Sequence, residues 1–349
     1  CSEMPSDAHD APIMEAIGER RARIDARLSV AVSPGDPTDL YAATRHILTA
    51  GGKRLRPAVT LLVGEAVVGA DPATASYDAF PTTDGEQIDL MAAATAIEVI
   101  QSFTLIHDDI MDDDAMRRGV EAVHEAFDTE LAILAGDTLY AKAFELLAST
   151  GARPDRVVAA VELLAGTCVE ICEGQAMDIA FESRPQVSTD EYLLMVERKT
   201  AVLYATAAAV GAILVGADEE IVDAVYEYGL ESGKAFQIQD DVLDLTTPSA
   251  VLGKRRGSDL IARKETLITV HARDRGVDVD AIFAAVDDED ETSMDAAVQQ
   301  LDAADSIAFA ATKARSLTQA AVDRLAVVDD SPARRLLVEL AEYLITRGY

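Results

Sequence analysis

Five aspartates, Asp108, Asp109, Asp112, Asp113 and Asp114, follow directly on an apolar run and precede Arg117, Arg118 and Gly119. On a helix, Asp108 and Asp112 are one turn apart, so their carboxylates share a face. Like charges at that spacing repel, and the pair makes sense if divalent cations sit against it. Hard oxygen donors of this kind suit Mg2+, which takes one or two carboxylates together with phosphate oxygens. Arg117 and Arg118 add forked donors matched to phosphate. A solvated acidic helix end is the ordinary explanation of an aspartate run, but the apolar segment ahead of this one weakens it. The pattern then recurs: Phe236-Gln-Ile-Gln-Asp-Asp-Val-Leu-Asp244 again ends an apolar helix, with aspartates at 240, 241 and 244. One Asp-Asp-x-x-Asp is a weak signal; two, more than a hundred residues apart, are a strong one. The simplest geometry has the two helices facing each other, with a metal cluster and a diphosphate between them.

The elements that must position these residues read as helices. Ile13, Ile17, Ile24 and Leu28 recur at helical spacing, with arginines 20, 21, 23 and 27 on what is expected to be a solvated face. Pro34-Gly-Asp-Pro37 is a turn, and a helix leads from it to Gly51-Gly-Lys-Arg-Leu-Arg-Pro57. There, Lys53 and Arg56 stand at a helix entry able to bind an anion. Residues 70–86 read as a surface loop, Leu90–Met111 as the first motif helix, and 156–181 as a further helix. Thr189-Asp-Glu-Tyr restarts a helix that reaches Lys199-Thr200. Gly136 is expected where two helices approach closely. Glu121 and His124 form a single Glu-x-x-His, and a di-iron bundle site would need two.

Composition narrows the class. Hydrophobic residues make up 49% of 349, Trp is absent, and Ala and Leu dominate, which points to an all-α fold with a sizeable core. Residues 1–12 read as a loose tail to a single domain spanning 1–349. The 62 acidic against 30 basic residues give a net charge of -32. That balance argues against nucleic acid as a partner and fits the cytoplasm of a halophile, where salt screens self-repulsion. Cys168 and Cys172, one turn apart with no second pair, are expected to be buried, reduced thiols. Residues 1–30 lack the apolar core of a signal peptide. The uncharged run Ala201–Ala217 is short for a bilayer span and reads as a core helix. The chain has seven lysines, at 53, 142, 199, 234, 254, 264 and 313.

The two aspartate motifs, Gly-Gly-Lys-x-x-Arg-Pro, Lys199-Thr200 and the basic run Leu252–Leu267 together resemble the trans-polyprenyl diphosphate synthases, in particular archaeal geranylgeranyl diphosphate synthases of halophiles. The resemblance runs from about Gly51 to at least Lys264. It implies an isoprenoid-synthase helical bundle around a deep central cavity, and a cytoplasmic homodimer. It also implies condensation of isopentenyl diphosphate with dimethylallyl, geranyl or farnesyl diphosphate by ionisation, condensation and elimination. By that resemblance, Asp108 and Asp112 hold two Mg2+ ions and Asp240 a third, with Asp109, Asp241 and Asp244 in support. Arg117, Lys199, Thr200, Gln237, Lys254 and Lys264 bind the allylic diphosphate. Lys53, Arg56, Gln101 and Arg118 hold isopentenyl diphosphate. Four of the seven lysines thus fall at diphosphate positions. Gln175 and Asp178 match a Gly-Gln and Asp near the metal cavity. Val-Glu-Ala-Val-His124 departs from the usual Pro-Thr before the His, and Arg263 stands where Gly is commoner.

Product length follows the apolar pocket below Asp108. Thr104 lies about 6 Å below it on the same helix face, and the resemblance makes Phe103 the floor. A large Phe beside a small Thr implies a twenty-carbon product, with farnesyl diphosphate also formed. The alternatives are farnesyl diphosphate as the main product and a non-catalytic subunit of a heteromeric synthase. Such subunits usually lose motif aspartates. A class I terpene cyclase would need an Asn-Ser/Thr-Glu second motif, which residues 240–244 lack.

Overall fold

A computed structural model describes residues 11–71, 74–184, 186–248, 255–286 and 291–346. Cys1, the tail before Ala11, Pro185, Lys254 and the acidic run at 287–290 lie outside the described residues. The chain is all-α; the strands among the described residues form two short antiparallel ribbons, β1 (Phe80–Pro81) with β2 (Gln87–Ile88) and β3 (Met116–Arg117) with β4 (Val120–Glu121). Contacts divide it into two compact units. The first comprises Cys1–Ala165, Thr206–Tyr226 and Val327–Glu339, and the second Gly166–Ala205, Glu227–Ala326 and Leu340–Tyr349.

The first unit is built on α1 (Ala11–Ala31), α2 (Thr38–Thr49), α3 (Leu55–Val68), α4 (Leu90–Asp112), α5 (Val123–Ala126) and α6 (Thr129–Ala148). The stripe Ile13, Ile17, Ile24 and Leu28 is buried, as its periodicity requires. The opposite expectation for Arg20 is corrected: it is 2% exposed, not solvated. Its Nε and Nη2 fork onto Glu65 at 3.0 and 2.5 Å, and the Tyr77 hydroxyl donates to the same carboxylate at 2.5 Å. A charge that deep is tolerable only because it is paired and bidentate. Residues 70–86 are likewise more than a surface loop, because they bury Tyr77 and Phe80 and carry β1.

Helix α4 starts where the Asp89 carboxylate accepts the Ala92 N–H at 2.8 Å, and Arg27 fixes that carboxylate at 2.5 Å. Every residue from Leu90 to Ile100 is buried, so this half of the helix is core. Its other half packs on α6. A Cβ at Gly136 would stand 2.2 Å from His107 Nε2, which is the close approach anticipated for that glycine.

The chain continues through α7 (Pro154–Phe181), α8 (Thr189–Val196), a π-helical turn (Glu197–Ala201), α9 (Val202–Val215) and α10 (Glu219–Thr246). It ends in α11 (Ser258–Ile261), α12 (Leu267–Asp274), α13 (Val279–Ala285), α14 (Glu291–Ala303), α15 (Ser306–Arg324) and α16 (Pro332–Thr346). Helices α7, α9, α10 and α16 have residues in both units. The second unit has its own core, with Phe181, Met195, Ile238, Leu267, Leu301 and Leu317 among its members. Helix α8 restarts the chain with a capping box, Ser188 and Glu191 satisfying each other's backbone N–H groups.

On α7, Cys168 is buried and its thiol is pushed up to about 12 by burial. Cys172 is exposed, which corrects the expectation of two buried thiols. The segments Leu90–Asp112 and Thr189–Val215 are long and apolar enough to cross a membrane, but 72% and 78% of their most apolar stretches are buried in the fold. That degree of burial suits core helices.

Candidate active site

Both aspartate motifs sit at the C-terminal ends of helices. Helix α4 ends at Asp112, and the next residue, Asp113, turns left-handed at φ 56°. Asp240, Asp241 and Asp244 occupy the last two turns of α10. A helix C-terminus carries partial negative charge, so each cluster adds carboxylates where they are least welcome. Without a cation this placement costs free energy. The donors are hard oxygens suited to Mg2+, although no three His, Cys, Asp or Glu side chains among the described residues form a ready metal cluster.

Within the first motif the carboxylates have different surroundings. Asp108 and Asp112 are half-buried, whereas Asp109 is 1% exposed. Asp109 accepts Arg117 Nε at 2.6 Å, and Arg117 Nη2 also donates to Asp114 at 2.8 Å. Burial pushes the Asp109 carboxyl above its usual range, while Arg117 opposes the rise. Arg117, expected on phosphate, is therefore engaged by the motif's own buried aspartate and by Asp114.

The basic segment after α2 turns on Arg54, which adopts φ 51° at the start of α3. Its guanidinium reaches Glu98, Asp25 at 2.8 Å and the Leu48 carbonyl at 2.7 Å. Arg118, also left-handed at φ 54°, donates to the same Glu98 oxygen at 3.0 Å. A Cβ at Gly52 would come within 3.1 Å of the Arg118 guanidinium. One buried carboxylate thus ties Arg118 to the loop that carries Lys53 and Arg56. Neither Glu98 nor Arg54 is a predicted site residue. The available signal was Glu98 itself, the single charge between Leu90 and Gln101.

Below Asp108, Gln101 and Thr104 are half-buried, and the Thr104 hydroxyl donates back to the Gln101 carbonyl at 2.9 Å. Phe103 meets His107 and Tyr140 edge-on, at centroid distances of 4.8 and 5.3 Å, and Phe144 continues the aromatic row at 5.1 Å from Tyr140.

In the second unit, a cavity of about 120 Å³ gathers Asp178, Lys199, Thr200, Gln237, Asp241, Asp259 and Lys264, with Tyr192 in its wall. Lys199 Nζ bonds Asp178 at 2.5 Å. Asp240 is half-buried, while Asp241 and Asp244 are buried. Asp244 accepts the Ser258 hydroxyl at 2.7 Å and the Asp259 N–H at 3.2 Å, so it anchors the start of α11. Burial and then repulsion from Asp259 raise the Asp241 carboxyl, opposed by hydrogen bonds from Tyr192 and Gln237. Arg263 adopts φ 55°, a conformation that glycine takes without strain. The resemblance places glycine at that position.

Lys199 and Thr200 lie on the π-helical turn, a widened geometry that often marks functional segments. Gly174 of α7 presses against this turn. A Cβ there would fall 2.3 Å from the Lys199 backbone nitrogen, and backbone cannot swing aside as a side-chain tip can. Gly174→Ala is accordingly expected to destabilise the protein by about 1–3 kcal/mol. Thermal denaturation checks it, and an unchanged melting temperature would mean that the turn yields without strain.

With this geometry in hand, the polyprenyl synthetase family matches residues 37–301. A geranylfarnesyl diphosphate synthase of Natronomonas pharaonis is 53% identical over 97% of this chain and 98% of its own length. A geranylgeranyl diphosphate synthase of Methanosarcina mazei is 44% identical over 97% and 98%. Among solved structures, the geranylgeranyl pyrophosphate synthetase of Geoglobus acetivorans superposes with a TM-score of 0.84 at 42% identity, covering 95% of this chain and 99% of that one. The helical fold and these matches define an enzyme that transfers prenyl groups. The chain belongs to the polyprenyl synthetase family.

Proposed function

We propose that residues 1–349 act as one Mg2+-dependent domain that condenses isopentenyl diphosphate with allylic diphosphates, ending at geranylgeranyl diphosphate. The observation that carries this reading is the pair of aspartate motifs on helix C-termini, which are electrostatically unfavourable unless cations meet them. Asp108, Asp112 and Asp240 would hold the ions, three in number, with Asp109, Asp241 and Asp244 orienting them. The metal supplies charge neutralisation for the departing diphosphate. Lys199, Thr200, Gln237 and Lys264, gathered at one cavity, bind that diphosphate as it leaves the allyl cation. Arg117 is poised to exchange an aspartate partner for phosphate. Lys53, Arg56, Gln101 and Arg118 hold isopentenyl diphosphate, whose double bond attacks the cation. The excess of 62 acidic over 30 basic residues supports work in a salty cytoplasm, and the reading takes the enzyme as a homodimer.

A second reading concerns length alone. The 53% identity to a geranylfarnesyl diphosphate synthase favours a twenty-five-carbon product, whereas Phe103, braced by His107 and Tyr140, favours a floor at twenty. Incubation with Mg2+ in high salt, followed by dephosphorylation and chromatography of the alcohols, separates them. Geranylgeraniol as the end product supports the first reading, and geranylfarnesol the second. Absence of elongation from any primer by folded protein would instead leave a non-catalytic subunit. Phe103→Ala is expected to lengthen the main product by at least one five-carbon unit in the same assay. An unaltered product would remove Phe103 from the floor.

A further inference from the structure

Tyr192 has no role in the ligand set above, yet it is 1% exposed and lies in the wall of the cavity that holds Lys199 and Lys264. Its hydroxyl donates to Asp241 Oδ2 at 2.5 Å. Asp241 Oδ1 accepts the Gln237 amide at 3.1 Å, and Gln237 Oε1 accepts the Thr200 hydroxyl at 3.2 Å. Gln237 turns its NH2 to Asp241 and its oxygen to Thr200, so one amide bridges the carboxylate and the hydroxyl. Three hydrogen bonds thus run from the phenol on α8, through two side chains of α10, to the π-helical turn.

A buried tyrosine commonly finds some partner for its hydroxyl; here the partner is an aspartate of the second motif. We infer that Tyr192 is a positioning residue: it fixes the Asp241 carboxylate, and through it the orientation of Gln237 and Thr200 around the bound diphosphate. The inference rests on the reading that Asp241 belongs to a metal- and diphosphate-binding site. Groups that orient metal-site carboxylates typically matter 10–100-fold for affinity or activity.

The test is Tyr192→Phe, which keeps the ring and deletes one oxygen. Binding of inorganic pyrophosphate in the presence of Mg2+, followed by calorimetry, is expected to weaken by about tenfold. The KM for the allylic substrate should rise by a similar factor, and the KM for isopentenyl diphosphate should stay within twofold of the parent. Because the phenol acts through Asp241, adding Tyr192→Phe to Asp241→Asn should cost less than twofold more, which a purely structural tyrosine would not reproduce. Parent-like pyrophosphate binding by Tyr192→Phe, or full additivity in the double variant, overturns the inference while leaving the proposed function intact. If the parent protein itself fails to bind pyrophosphate with Mg2+, the proposed site falls, and the inference with it. Should Tyr192→Phe not fold, Gln237→Glu sets a second carboxylate against Asp241 and is expected to reproduce the loss of pyrophosphate binding; binding at the parent's level would overturn the inference.

Discussion

Exchanging Asp108 for asparagine is expected to lower turnover about a thousandfold, roughly 4 kcal/mol of transition-state stabilisation, while leaving the fold about as stable as before, because the repulsion relieved offsets the attraction to Arg117 that is lost. The two halves of this expectation come from the same geometry. Asp108 shares a helix face with Asp112, and both lie in the last turns of α4, where the helix is already negative. Neutralising one of them relieves an i,i+4 repulsion of about 0.2–0.5 kcal/mol and an unfavourable dipole contact of about 0.3–1 kcal/mol. A residue kept for stability behaves the other way, losing melting temperature on substitution and sparing turnover. Steady-state rates in saturating Mg2+, set beside thermal melts without metal, separate the cases. Turnover within tenfold of the parent would remove Asp108 from the proposed ion site. A melt lowered by several degrees would mean that the carboxylate has a protein partner that outweighs the repulsion.

The second large effect belongs to Glu98. Truncating it to alanine is expected to destabilise the protein by about 3–5 kcal/mol, the usual cost of stripping a buried charge of its partner. The Arg54 side chain is 1% exposed, and that of Arg118 is 18% exposed. Burial already pulls Arg118 below its ordinary value in spite of Glu98, so losing the carboxylate leaves it costly to keep charged. Arg54 retains Asp25 and the Leu48 carbonyl, which caps the damage. The functional consequence is selective. Arg118 and the Gly51–Pro57 loop come loose together, so the KM for isopentenyl diphosphate should rise well before that for the allylic substrate. Denaturant titration gives the stability term and initial rates the selectivity. Equal rises in both KM values would contradict the proposed division of labour.

What could be read from the chain and what could not divide along physical lines. Helices are legible because periodicity is local: the Ile13–Leu28 stripe, the apolar run into Asp108 and the helix restart at Thr189 all lie where the sequence pattern puts them. Arg20 defeats a local reading because nothing near it in sequence announces Glu65, which is 45 residues away. Glu98 and Tyr192 are hidden for a related reason. Each lies within a helical pattern that already explained its neighbours, and its partners come from other segments. Charged residues listed one by one also hide who holds whom. The sequence puts Arg117 near phosphate by analogy, while the fold gives it first to Asp109. Arg263 runs the other way, its oddity in sequence finding a backbone explanation at φ 55°.

The π-helical turn at Glu197–Ala201 has a consequence for how this gene can change. Such a turn holds one residue more than an α-turn, and each residue rotates a helix by about 100°. A single-codon deletion there could be absorbed by relaxation to an ordinary α-turn, leaving α8 and α9 continuous and well formed. It would also swing Lys199 and Thr200 out of phase with Asp178 and Gln237. The expected product is a folded, expressible and inactive protein, so this is a place where reading-frame-preserving loss of one amino acid can silence an enzyme without unfolding it.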